Sequence, residues 1–208
     1  MGIIVSCVSQ KGGVGKSTIA AGLATGLTTA GLYVKIADLD TQQGSSLDWG
    51  RRRLNNSIDP GIEVQAFPSA AQALTKANDY DVLIIDGPAR TNKSTLEISK
   101  ASKLIIQPTA ASLADLIPGI KEFNALVQAG IQRDKLRFAL NHISTDAEVT
   151  TSRAYIEQAG YRTLDGFLPE RSAYKLAMNE GRSILETRFA SLNSQAEIII
   201  QSIVNLLR

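Results

Sequence analysis

The stretch Ile3-Ile4-Val5-Ser6-Cys7-Val8-Ser9-Gln10-Lys11-Gly12-Gly13-Val14-Gly15-Lys16-Ser17-Thr18, continuing as Ile19 to Ala30, decides how the chain folds. A β-branched apolar run, Ile3–Ser9, gives way to a turn with three glycines and then to helical periodicity over Lys16–Ala30. Glycines at these positions let successive backbone N–H groups curl inward around an anion, and the start of the following helix adds its positive dipole end. Lys16 then stands where it can reach β- and γ-phosphates, and the Ser17 hydroxyl where it can ligate Mg2+. Gly12, Gly13, Val14, Gly15, Lys16, Ser17 and Thr18 form the expected phosphate cradle.

Outward from this turn the chain alternates strand-like and helix-like segments. Strands are expected at Ile3–Ser9, Tyr33–Asp38, Ile62–Phe67, Val82–Asp86, Leu104–Gln107, Leu136–Asn141 and Thr163–Leu168. Continuous apolar runs such as Val82-Leu83-Ile84-Ile85 suit strands buried on both faces of a parallel sheet. Helices are expected at Lys16–Ala30, Ser45–Leu54, Ala70–Asn78, Ser94–Ala101, Leu113–Ala129, Val149–Ala159, Ser172–Asn179 and Leu192–Leu207, with Gly31, Gly130 and Gly160 just past helix ends. The pattern predicts an α/β fold, a doubly wound and mostly parallel sheet flanked by helices, with ligands at the carboxyl ends of the strands. With 208 residues and no Pro/Gly/Ser-rich linker, residues 1–208 are expected to form a single domain.

Composition removes several chemistries. One cysteine and one histidine, Cys7 and His142, supply neither an internal disulfide, a Cys/His zinc site, an iron–sulfur cluster nor a Ser-His-Asp triad. No apolar run approaches the ~20 residues of a membrane helix and no signal peptide is evident, so a cytoplasmic location is expected. The formal charge of +2 means that any basic face must arise from distribution rather than from the total.

Three acids fall at expected strand ends. Asp38 and Asp40 alternate in Ala37-Asp38-Leu39-Asp40-Thr41-Gln42, where one carboxylate can orient an attacking water and another the waters around Mg2+. Asp86 closes Val82-Leu83-Ile84-Ile85-Asp86 ahead of Gly87-Pro88-Ala89, the Walker B pattern of apolar strand then acid, and is assigned to Mg2+ with Ser17. Asp81 at the other end of that strand reads as a cap.

The loop departs from G-x-x-x-x-G-K-[ST] because Gln10 holds the first glycine position and an extra lysine, Lys11, follows. A lysine there is badly placed for its own nucleotide but could cross a face-to-face dimer to the partner's phosphates. Lys11 to Ser17 resembles the K-G-G-x-G-K-[ST] signature of the deviant-Walker P-loop ATPases, the branch of ParA-type partition proteins, MinD, the nitrogenase iron protein and arsenic-pump ATPases. By that resemblance Lys11, Lys16 and Asp40 are catalytic, Asp40 acting on the attacking water, while Asp38 supports the outer shell of the metal held by Ser17 and Asp86. Asn141 matches the asparagine that many relatives aim at adenine, although it also fits a turn cap, and Pro169 resembles the loop that closes over the base.

Within the family, cluster cysteines are lacking and the final helix carries no lysine, which argues against the iron-protein and membrane-cycling branches. Its apolar positions Ala196, Ile199, Ile200, Ile203 and Leu207 form one stripe suited to core packing. Trp49 likewise reads as packing. The chain starts at its first strand, with no preceding helix-turn-helix segment, so the short ParA type is expected. That resemblance implies ATP and Mg2+ as cofactors, a homodimer with ATP, non-specific DNA binding, a ParB-like adaptor, nucleoid association in the ATP state and no stable membrane association. DNA contacts are expected among Arg153, Arg171, Lys175, Arg182 and Arg188, with Lys121 and Arg51-Arg52-Arg53 in reserve; Arg171, Lys175 and Arg182 could share a helix face, although scattered solvated charges fit each equally. A MinD-like positioning ATPase and an ATP-dependent metabolic or metal-cofactor maturation enzyme are the alternatives.

Overall fold

In the computed structural model, residues 2–88 and 93–208 are described. Seven parallel strands run β1 (Ile3–Cys7), β2 (Val34–Asp38), β3 (Glu63–Ala66), β4 (Val82–Asp86), β5 (Leu104–Thr109), β6 (Leu136–Leu140) and β7 (Arg162–Thr163). Their order in the sheet is β3-β2-β4-β1-β5-β6-β7, so the chain winds to one side of β1 and then crosses to the other. Such a reversal opens a crevice at the carboxyl ends of the central strands.

Among the described residues eight α-helices cover the sheet: α1 (Lys16–Thr29), α2 (Ser45–Asn55), α3 (Ala70–Leu74), α4 (Lys93–Ala101), α5 (Leu113–Gln128), α6 (Asp146–Gln158), α7 (Ser172–Asn179) and α8 (Ala190–Leu207). Alternate residues of each central strand enter opposite layers. Val5, Ile84 and Ile106 pack with Ile19 and Leu23 of α1, Trp49 of α2 and Ile199 and Ile203 of α8. Ile4, Leu83, Ile85 and Ile105 pack with Ile98 of α4, Phe123 of α5 and Ile156 of α6. This two-sided burial is why the strands read as unbroken apolar runs. The stripe on α8 is buried as expected, and among the described residues no helix is long and apolar enough to cross a membrane.

Three boundaries differ from expectation by three residues or more. The strand expected over Thr163–Leu168 is confined to Arg162–Thr163, because the chain bends out at Gly166, with φ of 73°, and returns so that Leu168 N–H donates to Leu140 O at 2.9 Å. Helix α6 begins at Asp146, three residues before the apolar pattern, because Thr145 caps it by accepting the Glu148 N–H at 3.2 Å while Glu148 accepts the Ser144 N–H at 2.7 Å. Helix α3 stops at Leu74, short of the expected Asn78.

Candidate functional site

Strand register sets the site. Asp38 pairs with Asp86, and Asp86 with Cys7, so both acids lie level with the point where β1 releases the glycine loop. The loop ends at Gly15, whose φ of 107° lies in the left-handed region, and a Cβ there would collide with Asn141 Nδ2. No side chain caps the first turn of α1, leaving its N–H groups for another acceptor.

Asp86 is 2% exposed. Its Oδ2 accepts the Ser17 hydroxyl at 2.6 Å and the Ser46 hydroxyl at 2.7 Å, while its buried Oδ1 has no hydrogen-bond partner. Burial, reinforced by the nearby Asp38 charge and only partly offset by the two hydroxyls and Lys16, pushes the carboxyl up to about 6. Asp38 is fully buried and turned toward backbone: Oδ1 accepts Asp40 N–H at 2.9 Å, and Oδ2 accepts Ser46 N–H and Leu47 N–H, each at 3.0 Å. Burial raises its carboxyl even against those three donors. Both Asp38 oxygens thus hold backbone of the strand end and the start of α2. Asp40 faces the cleft, with Oδ1 accepting Gln43 N–H at 3.1 Å.

The cleft has a volume of about 520 Å3. Gly13, Gly15, Lys16, Ser17 and Thr18 line it together with Asp40, Asp86, Gly87, Asn141 and Pro169. Lys16 is 8% exposed, and its ammonium makes no hydrogen bond or ion pair among the described residues. Gly87 lets the chain pass close to β1: its N–H donates to Cys7 O at 2.9 Å. Ala89, quoted with it in the sequence motif, lies outside the described residues. Asn141 is engaged within the fold, Nδ2 donating to Val14 O at 2.8 Å and Oδ1 accepting His142 N–H at 2.9 Å, so it props the glycine loop.

Lys11 stands apart from this cleft. It is half exposed and ion-paired with Asp115 on α5, which also accepts the Ser112 hydroxyl. Although burial acts upward on Asp115, the hydrogen bonds from Lys11 and Ser112 bring its carboxyl below the ordinary value. The same helix supplies Glu122, 1% exposed, whose Oε2 accepts Gln10 N–H at 3.0 Å and Gln107 Nε2–H at 3.1 Å. Sequence reasoning missed Glu122 and Ser46; the available signal for Glu122 was a charge in line with the buried positions Leu116, Gly119, Phe123 and Leu126.

The basic residues separate. Arg171 and Lys175 line the cleft. Arg182 lies beyond the end of α7, so the expected shared helix face does not form. Its Nε is 3.9 Å from Glu180, and Arg188 is 3.7 Å from the same residue. Arg153 donates to Gly166 O at 3.0 Å, and Lys121 is exposed on α5. Of the three consecutive arginines, Arg51 pairs with Asp48 at 3.3 Å, Arg52 lines the cleft, and Arg53, 1% exposed, is held by both oxygens of Glu186 at 2.8 and 2.9 Å.

Comparison with known proteins adds four findings. The family model described as CobQ/CobB/MinD/ParA nucleotide binding domain matches residues 5–184. The chain is 26% identical over 187 residues to the maintenance of carboxysome distribution protein A of Gloeobacter kilaueensis, covering 89% of this chain and 85% of the relative. Among solved structures, a plasmid partition protein of Borrelia burgdorferi bound to AMPPNP is similar with a TM-score of 0.78 at 17% identity, covering 99% of each chain. The septum site-determining protein MinD of Pyrococcus horikoshii, complexed with Mg-ADP, is similar with a TM-score of 0.76 at 20% identity over 100% of this chain and 97% of that one.

Proposed function

Because the chain belongs to the CobQ/CobB/MinD/ParA nucleotide-binding family, we propose that it is a Mg2+-dependent ATPase of the ParA type, built as one domain, that closes face to face with a second copy around two ATP molecules and holds DNA without sequence preference in that state. The observation that carries this reading is the convergence, in one cleft, of the glycine loop with Lys16, the Ser17–Asp86–Ser46 cluster and Asp40.

In this reading the loop N–H groups and Lys16 hold the triphosphate, and Asp40 orients a water in line with the terminal phosphorus and receives its proton. Asp38 is a positioning residue, fixing the Asp40 backbone and the first turn of α2. Ser17 and Asp86 fit Mg2+, a hard cation that accepts one or two protein oxygens and keeps its remaining waters, and the unpartnered Asp86 Oδ1 is the acceptor in want of a charge. When bound, Mg2+ supplies neutralisation of the charge shared by the β- and γ-phosphate oxygens. Lys11 acts across the dimer, and leaving Asp115 is part of closure.

The relatives broaden the cargo beyond plasmids, since one is named for carboxysome distribution and a structural neighbour for plasmid partition. Segregation of a plasmid or other DNA, with a ParB-like adaptor stimulating hydrolysis on the nucleoid, remains the reading favoured here. A mobility shift of long non-specific duplex DNA with no nucleotide, ADP, ATP and a non-hydrolysable analogue tests it. Retardation is expected only with ATP and the analogue. No retardation in any state, with co-sedimentation on anionic liposomes in ATP, would replace DNA by membrane; a small-molecule product would favour the maturation class.

A further inference from the structure

The fold satisfies the cations around the cleft unevenly. Lys175 is 3.6 Å from Glu170, and the Arg171 guanidinium donates to Glu170 O at 2.9 Å. On α2, Arg51 and Arg53 both have partners, Arg53 four oxygens among them: Pro60 O at 2.9 Å, Gly181 O at 3.1 Å and the Glu186 carboxylate. Arg52 has none. It is half-buried on the cleft wall, its Nε is buried without a hydrogen-bond partner, and no ion pair reaches its guanidinium among the described residues.

A half-buried cation with no anionic partner carries an uncompensated desolvation cost, and an anion entering the cleft beside it relieves that cost. Two cations without a hydrogen bond or ion pair among the described residues line this cavity, Lys16 at the start of α1 and Arg52 on α2. Ser45, Asp48 and Arg52 follow one another at helical spacing and all line the cleft, so Arg52 shares the face of α2 turned toward it. The rigid attachment of the neighbouring Arg53 to the loop at Gly181 and Glu186 fixes the C-terminal half of α2 and with it the position of Arg52.

We propose that Arg52 is a second phosphate-binding residue of the nucleotide site, donating from its guanidinium to oxygens of the phosphate chain opposite Lys16. The inference rests on the nucleotide reading of the cleft and adds to it a recognition element outside the glycine loop, the strand-end acids and the base-side loop.

The test uses Arg52→Gln and Arg52→Lys in the full chain, with ATP, ADP and inorganic tripolyphosphate as calorimetric ligands and thermal unfolding without ligand as control. Loss of a charge-assisted hydrogen bond corresponds to roughly tenfold to hundredfold weaker binding. Arg52→Gln is expected to lose this factor for ATP and tripolyphosphate alike, Arg52→Lys to recover part of it, and both to unfold at or above the wild-type temperature when ligand-free, since the fold gives Arg52 no partner to lose. Unchanged ATP affinity in Arg52→Gln, a loss for ATP without one for tripolyphosphate, or a loss accompanied by a lowered ligand-free melting temperature overturns the proposal. A wild-type chain that binds ATP in the same titrations separates that outcome from failure of the cleft reading, which would remove both.

Discussion

Replacing Asp86 by asparagine is expected to stabilise the nucleotide-free protein while removing its response to Mg2+. The side chain is 2% exposed, one carboxylate oxygen has no partner, and the carboxyl is raised from 3.8 to about 6. A carboxylate that ionises near 3.8 when unfolded and near 6 when folded lets the folded state hold its proton more tightly, so stability declines as pH rises through that window and stays lowered above it. The interval is worth about 3 kcal/mol at pH 8, and for a chain of this size that corresponds to roughly 6–12 °C in melting temperature. The asparagine side chain would keep the shape and an acceptor for the Ser17 and Ser46 hydroxyls without the charge. Thermal melts in a chelator at pH 8 and pH 5 are the assay. Asp86→Asn should melt well above wild type at pH 8, converge on it toward pH 5, and show no added stabilisation by Mg2+ with ADP. A mutant no more stable than wild type at pH 8 would refute the view of Asp86 as a strained charge kept for a cation.

Lys11→Gln should bind ATP as a monomer with near wild-type affinity yet fail to hydrolyse it, and mixing it with Asp40→Ala chains should restore turnover; no restoration in demonstrated mixed dimers would deny action across the dimer. Arg53→Met strands Glu186 and two carbonyls, so urea unfolding should show a loss of about 3–5 kcal/mol near neutral pH. Although burial acts upward on Glu186, the Arg53 and Ser183 hydrogen bonds hold it below the ordinary carboxylate value, so the loss should shrink as pH falls through that lowered pKa. Charge reversal at Arg182 and Arg188 should weaken ATP-dependent DNA binding and flatten its salt slope by about 0.9 per lost phosphate contact without touching ATP affinity, whereas reversal at Arg171 and Lys175, which line the cleft, should weaken ATP itself.

The architecture was legible because its signals are local and strong. Glycines after an apolar strand, unbroken apolar runs, and the stripe on α8 each have one economical structural reading, and the sheet follows from their alternation. What escaped depends on contacts between distant segments. The bend at Gly166 is compatible with a strand until Leu168 is seen to bond Leu140. Asp38 and Asp40 look equivalent in sequence, but the amides of Ser46 and Leu47 take Asp38 inward and leave Asp40 facing the cleft. Arg51, Arg52 and Arg53 form one charged run in sequence, yet about 100° per residue around α2 sends them to solvent, cleft and core. Glu122 grips Gln10 across 112 residues, a pairing that spacing along the chain does not encode.

Phosphate release from ATP, measured beside ATP binding for wild type, Lys16→Ala and Asp40→Ala in Mg2+, tests the central claim most directly. Wild type should bind and release phosphate, Lys16→Ala should do neither, and Asp40→Ala should bind ATP normally while releasing almost none. Wild-type turnover by Asp40→Ala, or ATP affinity unchanged in Lys16→Ala, would contradict the assignment of this cleft to ATP hydrolysis.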